Sequence, residues 1–168
     1  GSNRRQDAYG GPATHRVRFV VELMEALVAA VGADRVGLKI TPAMRFNDIS
    51  DADERETYAT LLAAIRPLRP AFLEMAPGPD SPFTLAMARA TFDGALFAGV
   101  GYDLARGQET VMRGAADAIL YGQAFIANPD LPQRFAAGAP LTAADPATFY
   151  AGGERGYVDY PALQPATA

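Results

Sequence analysis

The sequence predicts an α/β fold with a parallel sheet, and three observations carry that prediction. Helical and strand-like patterns alternate along the chain, with strands beginning near residues 36, 71, 95 and 118. Those strands are short and mostly apolar, as strands flanked by helices are. The length of 168 residues suits one ordinary domain with a sizeable core. Such units can build a small doubly wound sheet, or part of a (β/α)8 barrel that needs about 250 residues when whole. Periodicity leaves both architectures open.

The first helix is read from Val17, Val20, Val21, Met24, Leu27, Val28 and Val31, which recur at three- and four-residue spacing. Phe19, Leu23 and Ala26 widen the stripe, so a large surface is expected against it, and Gly32 is the natural stop. Val36–Ile40 reads as the first strand, ended by Thr41-Pro42. Ser50 with Asp53 resembles a capping box for a second helix with Tyr58, Leu61, Leu62 and Ile65 inward. Pro67 and Pro70 end it, and residues 71–75 form the second strand. Ser81-Pro82 has the chemistry of a third helix start, followed by a strand over 95–98. Asp103 suits the cap of a fourth helix reaching about Arg113, with a strand over 118–121 beyond it. Asn128-Pro129 opens a last short helix carrying Leu131 and Phe135 and closed by Gly138. The fold therefore divides into α/β units over 1–140 and a tail over 141–168 expected to pack on them.

Composition narrows the function. Lys and Arg number 15 against 19 Asp and Glu, a formal charge of −4, and the absence of any basic run disfavours a nucleic-acid partner. The absence of Cys removes thiolate chemistry, and a single His removes a His-rich metal site, so no metal is expected. No apolar stretch reaches the roughly 18 residues of a membrane span, so no membrane partner and a cytoplasmic location are expected.

Chemistry in either architecture belongs just past the C-terminal ends of the strands. Gly99-Val100-Gly101 lies between a strand and a helix, where backbone N–H groups can approach a phosphate; a plain tight turn reads equally well. Gly122 at the next strand end strengthens the phosphate reading. Lys39 sits within an apolar strand, either paired with Glu74 on the neighbouring strand or facing an anionic or electron-rich ligand. His15, in a polar arc, reads as a solvated side chain. No Ser/His/Asp set or functional carboxylate pair is apparent.

These residues resemble a family. Asn3-Arg4-Arg5-Gln6-Asp7-Ala8-Tyr9-Gly10-Gly11 followed by Arg16-Val17-Arg18-Phe19 is similar to a signature of the old yellow enzyme family of FMN-dependent ene-reductases. Gly37–Pro42 with Phe46-Asn47-Asp48 resembles that family's fifth strand and loop, and Ala98–Asp103 its seventh. Tyr121–Leu131 resembles the eighth strand and following helix, and Thr148–Tyr150 with Gly156–Pro161 the C-terminal tail. The resemblance implies the C-terminal half, strands five to eight, of a (β/α)8 TIM barrel, completed by a complementary N-terminal half-barrel chain. It implies FMN as cofactor, NAD(P)H as reductant and an activated alkene as small-molecule substrate. The catalytic residues would all lie in the other half, so this chain would not act alone.

For the cofactor, the resemblance implies Lys39 beside the flavin ring and Val100, Gly101, Gly122 and Gln123 at the phosphate, with Phe149 and Tyr150 lining the substrate. Three departures fall on this face. Lys39 replaces an Arg and keeps the charge while losing the planar fork. Gln123 replaces a phosphate-binding Arg, a loss of about 1.5–3 kcal/mol for one charge-assisted contact. Val100 replaces a glycine, which matters if the backbone there has positive φ. The readings that follow are a split FMN-dependent oxidoreductase with weakened flavin binding, a flavin-free barrel that binds or cyclises a small molecule, and a non-catalytic structural half.

Overall fold

The computed structural model describes residues 1–151 and 153–163 and divides them into two compact units, one running from Gly1 to Leu120 and one beginning at Tyr121. The first is built on a sheet of β1 (Gly37–Ile40), β2 (Phe72–Met75), β3 (Ala95–Gly99) and β4 (Ala118–Leu120). All neighbours are parallel and the spatial order β1-β2-β3-β4 follows the chain. Simple sequential order, with no reversal point, is the order of barrel strands and not of a doubly wound sheet.

Alternation gives the sheet two unlike faces. Ile40, Leu73, Met75, Leu96 and Ala98 are buried beneath the helices, and Leu38 packs beside them. The opposite face carries Lys39, Glu74 and Phe97 in one register row and Phe72 one row below. Phe72 and Phe97 stack with ring centroids 4.9 Å apart. Gly37 has no side chain because a Cβ there would run into the Phe72 ring. Lys39 is exposed and Glu74, Phe72 and Phe97 are only partly covered. The sheet is thus closed on its helical side and open on the other.

The helices explain themselves locally. α1 (Ala13–Arg16) and α2 (Arg18–Val31) end at Gly32, whose φ of 92° suits a residue without Cβ. Val17 and Met24 are buried and Val20, Val21 and Val28 pack on the core, but Phe19, Leu23, Leu27 and Val31 are exposed. These last four recur every fourth residue, so α2 presents a second, uncovered apolar stripe. α3 (Glu54–Ile65) buries Leu61, Leu62 and Ile65 as expected. Its cap is Asp53, which accepts from the Glu56 N–H at 3.1 Å, and not Ser50, which pairs with Ser2 instead. α4 (Leu85–Thr91) likewise starts three residues later than Ser81-Pro82 suggests, because Thr84 accepts the Met87 N–H while Ser81 turns onto Phe83. Asp103 caps α5 (Leu104–Met112) as expected, accepting from Arg106 N–H at 2.8 Å.

The segment over residues 3–11 is held by its own side chains. Asn3 Nδ2 donates to Tyr9 O at 2.8 Å, Asp7 Oδ1 accepts the Tyr9 N–H at 3.0 Å, and Arg5 pairs with Asp7. Gly10 is buried against the Arg5 carbonyl, with no room for a Cβ. Tyr9 Oη donates to Glu22 on α2 at 2.9 Å. The spacing of this segment is therefore that of a folded loop in which Asn3, Arg5, Asp7 and Tyr9 each have a structural partner.

The second unit holds α6 (Gln123–Ala127), α7 (Leu131–Ala137) and the segment after it. α6 is absent from the expected elements, and Asn128 is no cap. It is fully buried, donating to Ala124 O and Thr142 O and accepting the Thr142 N–H. Buried Arg134 donates to Asp130 at 2.7 Å and to the carbonyls of Pro140 and Pro161. These bonds fasten the tail to α6 and α7, and the second compact unit begins at Tyr121.

Candidate functional site

Lys39 and Glu74 are the charged groups of the open sheet face. Their register match places them side by side, and Lys39 Nζ lies 2.6 Å from Glu74 Oε1. Lys39 thus pairs with Glu74 and still faces the uncovered side. Parallel pairing without stagger brings the two together, because β1 and β2 align Gly37 with Phe72 and so residue 39 with 74.

The loop after β3 is the second part. Gly99 is buried, Val100 has φ of 68° and is 54% exposed, and Gly101 has φ of 73°. A β-branched residue in the left-handed region is strained by about 1–2 kcal/mol. The backbone at Val100 is therefore the glycine-type conformation that the sequence left in question. Beside this loop lies a cavity of about 350 Å³, bounded by Pro77, Phe83 and Leu85 on one side and by Val100, Tyr102 and Arg106 on the other. Arg106 stands on the first turn of α5, donates through Nη1 to Gly101 O at 2.8 Å, and lies 4.9 Å from the Tyr102 ring centroid. Sequence reasoning missed Arg106. The available signal was the Asp103 cap, which fixes the residue three positions on against the preceding loop.

Gly122, Gln123, Phe149 and Tyr150 belong to the second unit. Gly122 precedes α6 and Gln123 is its first residue, both exposed; Phe149 is half-buried and Tyr150 93% exposed, just after a short 3-10 turn over Pro146–Thr148. Arg45, in the loop after β1, pairs with α3: its Nη1 lies 2.7 Å from Oε1 of buried Glu54. His15 sits half-buried in α1. Among the described residues no cluster of His, Cys, Asp or Glu is arranged to hold a metal ion, and no helix is long and apolar enough to cross a membrane.

A sequentially ordered parallel sheet, covered by helices on one face and open on the other, defines an α/β half-barrel. The chain belongs to the NADH:flavin oxidoreductase / NADH oxidase family, whose model matches residues 1–142. It is 43% identical over 163 residues to a probable flavin mononucleotide-dependent alkene reductase of Leishmania infantum, covering 95% of this chain and 45% of that one. It is 37% identical over 180 residues to 12-oxophytodienoate reductase 1 of Oryza sativa subsp. japonica, covering 97% and 46%. Among solved structures it superposes on the old yellow enzyme homologue from Zymomonas mobilis with a TM-score of 0.91 at 32% identity, covering 96% of this chain and 48% of that one. Morphinone reductase in complex with tetrahydroNAD gives 0.89 at 38% identity, with 98% and 46% covered. The chain thus spans about half the length of the relatives it matches, and its fold is half of their barrel.

Proposed function

We propose that the chain is the C-terminal half of an old-yellow-enzyme-like oxidoreductase that uses FMN and NAD(P)H to reduce an activated alkene. The complementary N-terminal half would complete the barrel. The observation that carries this reading is the open sheet face. A half-barrel whose Lys39–Glu74 pair and Phe72–Phe97 stack remain uncovered fits a lumen shared with a second set of strands. The edges of β1 and β4 and the apolar stripe of α2 fit the same complement.

The residues present suit a flat, anionic cofactor. Bound FMN would supply hydride transfer, taking a hydride from the nicotinamide and delivering it to the β-carbon of the alkene. Lys39 would hold a positive charge toward the electron-rich edge of the ring, its ammonium kept in place by Glu74. The Gly99–Gly101 turn would receive the phosphate. Phe149 and Tyr150 would line the substrate side. Substrate activation and proton donation would fall to the other half.

The test is the visible absorption spectrum of the chain purified natively, with intact masses of whatever accompanies it. A flavin band in an assembly that holds both halves of the barrel is the expected result. A complete assembly that stays colourless after soaking in excess FMN would sink the redox reading and favour a barrel that kept its fold without its cofactor, as Val100 and Gln123 would then suggest.

A further inference from the structure

We infer that Arg106 supplies the cationic contact to the cofactor phosphate at the Gly99–Gly101 turn. This rests on the FMN reading above and adds to it a residue that neither the motif strings nor the matched relatives assign.

A phosphate monoester at a strand end needs backbone donors and a neutralising cation. The turn offers the backbone, but Gln123 carries no charge, and Arg45 is committed to Glu54. Arg106 is the charged side chain that bounds the cavity beside the turn. Its Nη1–Gly101 bond and its position over Tyr102 hold the guanidinium plane in place. Among the described residues it forms no ion pair, and its one side-chain hydrogen bond leaves further N–H donors of the fork for a ligand. A guanidinium fixed in this way is prepared for a bidentate phosphate contact without ordering a free side chain.

The test compares FMN with riboflavin, which lacks the phosphate, by quenching of flavin fluorescence in the native assembly of the full chain. In Arg106→Gln, FMN affinity should fall about ten- to a hundredfold, the size of one charge-assisted bond, while riboflavin affinity stays unchanged. Arg106→Lys, which keeps the charge and loses the fork, should fall between. Inorganic phosphate should compete with FMN in the parent and markedly less in Arg106→Gln. Equal FMN affinity in parent and Arg106→Gln, or an equal loss for both flavins, would overturn the assignment while leaving the FMN reading intact. A parent assembly that binds neither flavin would overturn both. If Arg106→Gln does not fold, Arg106→Lys and phosphate competition decide the matter.

Discussion

Val100 shows how one side chain can oppose its own backbone. Its φ of 68° is tolerable for glycine and costly for a β-branched residue, and the side chain is 54% exposed, so little packing offsets the strain. Val100→Gly should therefore raise unfolding stability by about 1 kcal/mol, after the added freedom of the unfolded glycine is subtracted, as read by denaturant titration. Asp117 illustrates the opposite case. A bond from Arg89 at 2.7 Å, then one from the Leu96 N–H at 2.7 Å, hold its carboxyl below the usual range. A lowered folded value means the stabilisation is present above the unfolded value and lost as pH falls through the folded one. Asp117→Asn should thus be less stable than the parent at neutral pH, with the gap closing below about pH 4. A gap independent of pH would assign the loss to packing.

At the scale of the element, apolar periodicity made most of the fold legible. Strand positions came out within a residue or two, because four- or five-residue apolar runs between turn residues have few other solutions. Helix starts came out less well. Ser50 and Ser81 have capping chemistry, yet each is used by a loop partner, Ser2 and Phe83, while Asp53 and Thr84 cap instead. A cap depends on which residue has the extended backbone at the helix entrance, and residue type alone does not fix that. α6 was illegible because five residues show too little periodicity, and Arg106 because its role depends on a turn conformation. Asp53→Ala should cost about 1 kcal/mol through loss of the α3 cap, and Leu62→Ala, at a fully buried position, about 2–5 kcal/mol. Thermal or urea unfolding of both variants checks this ordering, and Ser50→Ala should be near neutral beside them.

For the whole molecule, the balance of covered and uncovered apolar surface is the governing quantity. Phe19, Leu23, Leu27 and Val31 add nothing to the core of the first unit, so Leu23→Glu with Leu27→Glu should leave its helical content intact. On the proposed reading, the same pair should abolish completion of the barrel, which light scattering on a sizing column would show as loss of the larger species. An unchanged elution with full assembly would place the partner on another face. The polar bonds of the second unit bear on how this segment breathes. The amides of Thr142, Asp145 and Leu163 lie in irregular chain, yet each donates to a side chain: Asn128, Tyr160 and Asp130. Because Asn128 and Arg134 reach both the helices and the tail, opening one strand of this web unfastens the others. These three amides should then exchange with deuterium slowly and at a common rate set by one cooperative opening. The tail would be a fastened clasp, released as a unit, and not a frayed end.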